Sequence, residues 1–237
     1  MTMDEVILGD GVVAIDAEIT CDMTNGDARF KTPWELPVSV VCTLSDKDGF
    51  RDWIGDHSVP KLVQYLLKFN RIVGFNQIRF DYGLLDGALI REFCVGDDAA
   101  SRVRAALKGH FDLGQRDPEP NMLERILKGK SIDLLVDIKQ FLDAKKLPWK
   151  GRVTNLDAIA LAMIGAGKES KRFKGGAEAP KAWRHRMALE VISYCRIDVL
   201  RAAQIYLQLL QRYPLKIHGW PAQDVDNTFD IVTLTVR

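Results

Sequence analysis

Asp16 and Glu18 stand two residues apart in Ile15-Asp16-Ala17-Glu18-Ile19-Thr20, directly after the apolar run Val12-Val13-Ala14-Ile15. Such a run reads as a buried strand, and side chains two apart on a strand share a face. Two carboxylates therefore project together from an apolar element. At ~4 Å and an effective dielectric of ~20 their repulsion is about 4 kcal/mol, which a cation, a shared proton or solvent has to relieve. A third acid, Asp81, follows a Gly74-Phe75-Asn76 turn at or near the start of a helix. A fourth, Asp198, lies four residues after Tyr194 in Tyr194-Cys195-Arg196-Ile197-Asp198-Val199, so that phenol and acid share a helix face one turn apart. The four histidines and four cysteines are dispersed, with no C-x-x-C pair. A zinc site or a Ser-His-Asp hydrolase has no support in that pattern, and any catalysis falls to the carboxylates.

Taken singly, each feature has a plainer reading. The first pair could sit in water where a strand ends, Asp81 could serve only a helix start, and Asp198 could bond water at the edge of an apolar stripe. What the acids can do depends on the elements that carry them. Gly11–Glu18 and Pro37–Leu44 read as strands, and Asp46-Lys47-Asp48-Gly49 as a hairpin turn into a third strand, Phe50–Ile54. Ser58 and Pro60 open a helix with Leu62, Val63, Leu66 and Leu67 on its apolar side. Arg71–Phe75 is a short strand, Phe80–Ile90 is helical, and Ile132–Leu142 is amphipathic. Asn155 caps a helix that runs through Ile164 to Gly165. One long helix is predicted from about Ala182 to Arg212, stopping before Pro214. The order predicts an α/β fold whose first three strands form an antiparallel meander, completed by parallel strands joined through helices.

The chain has 237 residues, 47% hydrophobic and 27% charged, with 33 basic against 32 acidic side chains. That is a globular composition with a large enough core, and its near-neutral balance excludes a generally basic, DNA-coating protein. No apolar run approaches the ~18 residues of a membrane span. The scattered cysteines and the acidic start, Met1-Thr2-Met3-Asp4-Glu5, predict a cytoplasmic protein without a signal peptide.

Together the motifs resemble those of the 3′–5′ exonucleases of the DEDD superfamily, in the tyrosine subclass. That superfamily includes ribonuclease D, helicase-linked exonucleases and polymerase proofreading domains. Asp16-Ala17-Glu18 matches the family's D-x-E at the end of the first strand. Gly74-Phe75-Asn76 with Phe80-Asp81 matches G-[FY]-N-x-x-x-F-D, and Tyr194 with Asp198 matches Y-x-x-x-D on a late helix. The Tyr-Cys-x-x-Asp-Val wording is close to that of B-family DNA polymerase proofreading domains. There is one departure: many relatives have threonine directly after the motif glutamate, whereas here Ile19 intervenes before Thr20.

The resemblance implies a ribonuclease H-like fold, with a mixed five-stranded sheet flanked by helices. It implies a single domain over 1–237, with a core at about 11–212, a segment 95–129 that reads as an insertion, and a C-terminal extension at 213–237. It also implies two divalent ions, Mg2+ with Mn2+ as a substitute. Asp16 would bridge both, Glu18 and Asp198 would hold the ion carrying the attacking water, and Asp81 would support the second. Tyr194 would position that water. Thr20 and Asn76 are implied substrate contacts, on a nucleic acid with a 3′ end, single-stranded in preference. The product would be a nucleoside 5′-monophosphate.

Lys168–Arg186 holds seven basic residues against Glu169 and Glu178. Its first part, Lys168, Lys171, Arg172 and Lys174, immediately precedes the helix bearing Tyr194 and Asp198, and is read as a phosphate-contacting loop. Phe173 and Trp183 are interleaved there, as Trp149 is among Lys145, Lys146, Lys150 and Arg152. These aromatics could stack on bases, although for the two tryptophans a place in the core is the stronger reading. The chain is read as a stand-alone enzyme or as a subunit working with a polymerase or helicase. Alternatives are a catalytically weak or inactive nucleic-acid-binding subunit, a ribonuclease H-like endonuclease or transposase fragment, and a structural α/β domain.

Overall fold

The structure, a computed structural model, describes residues 6–22, 28–93, 122–144, 155–166, 173 and 176–210. Five strands form one sheet: β1 (Val12–Ile19), β2 (Val38–Ser45), β3 (Gly49–Ile54), β4 (Arg71–Gly74) and β5 (Ser131–Asp133). Their order is β3-β2-β1-β4-β5. The β1–β2 and β2–β3 pairs are antiparallel, while β1–β4 and β4–β5 are parallel. The expected meander and its parallel extension are both present. The hairpin closes at Ser45↔Gly49, and Gly49 adopts φ 65°, the left-handed conformation that ends a short hairpin loop.

Seven helices cover the two faces among the described residues. They are α1 (Val59–Leu66), α2 (Tyr82–Phe93), α3 (Met122–Leu127), α4 (Leu134–Ala144), α5 (Leu156–Ile164), α6 (Ala179–Arg184) and α7 (Ala188–Leu210). Strand alternation divides the core into two layers. Val13, Ile15, Ala17 and Ile19 of β1 pack with α1, α2 and α3 through residues such as Leu62, Leu85 and Leu123. Val12 and Ala14 point the other way, toward Ile159 of α5, Ala182 of α6 and Cys195 and Val199 of α7. None of the described helices is long and apolar enough to cross a membrane.

Two expectations are corrected. The long final helix is interrupted: three residues, His185 to Met187, separate α6 from α7, and Arg186 among them has φ 61°. There the N–H of Arg186 donates to the Trp183 carbonyl at 2.9 Å, and that of Met187 to Ala182 at 3.0 Å. This is a Schellman closure with arginine where glycine is usual. The amphipathic run Ile132–Leu142 is also split, because its first residues extend β5 and only Leu134 onward is helical. The Asp133 carboxylate makes that switch by accepting the N–H groups of Leu135 and Val136 at 3.1 and 3.3 Å. Asn155 caps α5 as expected, accepting from the Ala158 N–H at 2.9 Å, and Gly165 ends it at φ 70°.

Candidate metal centre

The alternation of β1 decides which layer receives the acids. Asp16 and Glu18 have the parity of Val12 and Ala14, so they face α7, and the Cys195 thiol donates to the Asp16 carbonyl at 3.3 Å. The β1–β2 register shifts between Glu18 and Ile19, an irregularity of the kind that re-aims side chains at sheet ends. From α7, Asp198 meets them. Asp16, Glu18 and Asp198 each offer an oxygen within 4.8 Å of the others, and among the described residues this is the one grouping of three metal-ligating side chains so close together. Glu18 and Asp198 are only 9% and 6% exposed.

Asp81 arrives from β4. Past Gly74, Asn76 takes φ 67° and the chain enters a π-helical turn, Gln77–Asp81, before α2 begins. A wide turn of this type is frequent at functional sites. Gly74 permits it, since a Cβ there would lie 2.3 Å from Gln77 Oε1 and 3.0 Å from Gln77 Cβ. Gln77 cannot retreat, because its Nε2 donates to the carbonyls of Ile72 and Ile132 at 3.0 and 3.1 Å. Asp81 is 3% exposed. Burial pushes its carboxyl well above the usual range, and the charges of Asp16 and Asp133 push the same way, against one hydrogen bond from the Ala17 backbone. The hydrogen bond from the Ala17 backbone sets Asp81 against β1, under the influence of Asp16 but outside the cluster of three carboxylates.

Tyr194, 5% exposed on α7, feels the charge of the same acids. Its ring packs on Phe173, centroids 5.5 Å apart at 52°. Burial, then the charges of Asp198, Glu18 and Asp16, raise the phenol far above its ordinary value, so its hydroxyl keeps its proton at any physiological pH. The Cys195 thiol, which also reaches Asp16 Oδ2 at 3.5 Å, is likewise held neutral by burial. It is a packing group with a weak donor, in keeping with an inert buried thiol.

Other expected residues are distributed differently. Thr20 is half-buried just past β1, its N–H donating to the Pro37 carbonyl at 3.1 Å. Asn76 is half-buried at the entry to the π turn, and its N–H donates to Asp133 Oδ1 at 2.9 Å. Lys168, Lys171, Arg172 and Lys174 lie outside the described residues, as do Trp149 and its basic neighbours. Phe173 is 6% exposed and packs on Tyr194, so it is not a free stacking surface; that expectation is corrected by its place in the core. Trp183 is half-buried against the same core layer.

Two features were not picked out from the sequence. Asp133 on β5 accepts four backbone N–H groups, two of them from the turn that carries Asp81. Arg201, 2% exposed on α7, pairs with Asp157 of α5 at 2.5 Å and approaches Asp198 Oδ1 at 3.8 Å. Nothing in the local sequence marks either one, because their partners are far away in the chain.

The donor set suits a divalent cation. All three clustered donors are carboxylates, hard oxygen ligands of the type that hold Mg2+ or Mn2+. A fourth buried acid, Asp81, is held toward its protonated form by burial and then by the Asp16 charge, and a dication would offset both costs.

No family profile and no curated protein matches the chain. Among solved structures, the family B DNA polymerase from the hyperthermophilic archaeon Pyrobaculum calidifontis is similar, with a TM-score of 0.54 at 14% identity. The likeness covers 85% of this chain and 24% of the polymerase chain. It shows the fold. The mixed five-stranded sheet, three strands antiparallel and the rest parallel, with helices on both faces is the expected α/β architecture and is compatible with the ribonuclease H-like fold that the resemblance implies.

Proposed function

We propose that the chain is a metal-dependent 3′–5′ exonuclease that releases nucleoside 5′-monophosphates from the 3′ end of a nucleic acid. The observation that carries this reading is the convergence of Asp16, Glu18 and Asp198 within 4.8 Å of one another, with buried Asp81 and protonated Tyr194 beside them. The likeness to a family B DNA polymerase supports it, because the motifs resemble the proofreading domains of that polymerase family.

In this reading Asp16, Glu18 and Asp198 would hold one dication, and Asp16 with Asp81 would support a second, Mg2+ or Mn2+. A bound ion pair would supply an activated water and a counter-charge for the phosphate. The residues of the chain do the positioning. The Tyr194 ring packs on Phe173, and its hydroxyl, held protonated by burial and the neighbouring acids, would orient a water one helical turn from Asp198. The π turn carries Asp81, and Asn76 at its entry would contact the substrate. The basic residues Lys168, Lys171, Arg172 and Lys174 would steer the phosphate backbone, and Thr20 would contact the terminal nucleotide.

A 5′-labelled oligonucleotide distinguishes the outcomes. With Mg2+ it should shorten in a ladder, stop with chelator, and stay intact with Asp16→Ala. Internal fragments appearing first would indicate an endonuclease. Binding without any shortening under Mg2+ or Mn2+ would indicate a non-catalytic binding subunit. Parallel reactions on single-stranded DNA, duplex DNA and RNA of one sequence define the substrate.

A further inference from the structure

Arg201 is a cation in an apolar place. Its neighbours on α7, Val199, Ala202, Ala203 and Ile205, are buried, and its own side chain is 2% exposed. Burying a guanidinium there is costly unless anions face it. Two do. Asp157 takes the short contact, Nη1 to Oδ1 at 2.5 Å, and Asp198 the long one, 3.8 Å from the same nitrogen. Asp157 sits in the first turn of α5, where the exposed backbone N–H groups favour a negative charge. The guanidinium is thus drawn toward α5 and held off a carboxylate of the acid group.

We propose that Asp157 and Arg201 form a charge clamp that sets the metal affinity of the site, with Asp157 keeping Arg201 from closing onto Asp198. The clamp rests on the metal-site reading given above. Arg201 offsets part of the acid group's charge when no metal is bound, and its approach to Asp198 at 3.8 Å is looser than its 2.5 Å contact with Asp157. Asp157 and Arg201 are positioning residues; neither needs to touch a substrate.

The clamp predicts effects of opposite sign. Without the Asp157 charge, Arg201 moves onto Asp198 and competes with the metal. Without Arg201, the acid group is more negative and Asp157 no longer matters. Mn2+ binding by the full chain, read by calorimetry or by the electron paramagnetic resonance of free aqueous Mn2+, tests this. Asp157→Asn should weaken Mn2+ binding about tenfold, the change expected when an ion pair tightens by roughly 1 Å at an effective dielectric of ~20. Arg201→Met should strengthen binding, and the double variant should bind at least as tightly as wild type. Asp157→Glu, which keeps the anion, should restore most of the affinity lost in Asp157→Asn. It stands as the deciding comparison if Arg201→Met does not fold. Unchanged Mn2+ affinity in Asp157→Asn, weakening in both single variants, or equal weakening by Asp157→Asn and Asp157→Glu would overturn the clamp and leave the pair as packing. Failure of wild type to bind Mn2+, with Asp16→Ala indistinguishable from it, would instead remove the metal site on which the clamp depends.

Discussion

The Asp133 carboxylate accepts the backbone N–H of Asn76 at 2.9 Å across 57 residues of chain. Its other oxygen accepts the Ile78 N–H at 2.9 Å, so one side chain at the end of β5 grips both ends of the first turn leading to Asp81. The same carboxylate starts α4. A single acid thereby couples the sheet edge, a helix start and an irregular turn.

Removing that grip should loosen the turn. Asp133→Ala strands four backbone donors and should cost about 2–4 kcal/mol of stability. Asp133→Asn keeps a carbonyl for Asn76, Leu135 and Val136 but turns an amide N–H toward Ile78, so its cost should be about half as large. Urea unfolding of the two variants gives the comparison; equal losses would mean that the contacts to Asn76, Leu135 and Val136 contribute nothing.

Tyr194→Phe removes one hydroxyl and leaves the ring on Phe173. Stability and Mn2+ affinity should stay near wild type, while the rate of nucleotide release falls roughly 10- to 100-fold. A variant that cleaves at the wild-type rate would take Tyr194 out of the reaction.

Asp16 raises the proton affinity of Asp81, Tyr194 and Cys195 through its charge. Asp16→Asn should therefore stabilise the metal-free protein by about 1 kcal/mol while abolishing the rise in melting temperature that Mn2+ produces. Melting curves in chelator and in Mn2+ check both halves, and a lower melting temperature in chelator would contradict the repulsion argument.

Burial, and then the neighbouring Asp133, push Asp137 up to about 7. An unfolded aspartate titrates near ~4. Between these values the folded chain binds more protons than the unfolded one, so stability is lost as pH rises from about 4 through about 7. Asp137→Asn should flatten that decline and gain roughly 1–2 kcal/mol at pH 8, a figure reduced for the group's partial contact with water. Denaturant midpoints at pH 5 and pH 8 measure it; an unchanged decline in the variant would assign the effect to other acids.

The parts legible in the sequence are those in which a local period dictates a face. The two-residue spacing of Asp16 and Glu18 and the four-residue spacing of Tyr194 and Asp198 place each pair before any tertiary contact is known. The hairpin at Asp46–Gly49 and the Asn155 cap are local chemistry as well. β5 escapes because Ile132 is its single apolar residue, and the amphipathic pattern of α4 runs directly into it. The break before α7 escapes because Arg186 carries no glycine signal; the turn is set by backbone closure onto Ala182 and Trp183. Asp133 and the Asp157–Arg201 pair depend on contacts between distant segments, which no spacing encodes.

Along Val12–Ile19, grease and charge keep one shared beat. Deleting any residue between Val12 and Ile15 would aim Asp16 and Glu18 at Leu62 and Leu85 and offer Tyr194 a hydrocarbon in their place. A lesion of that kind cannot yield a sound but silent molecule. On this strand, chain-length changes should abolish folding and chemistry in a single event, whereas same-length substitutions can separate the two.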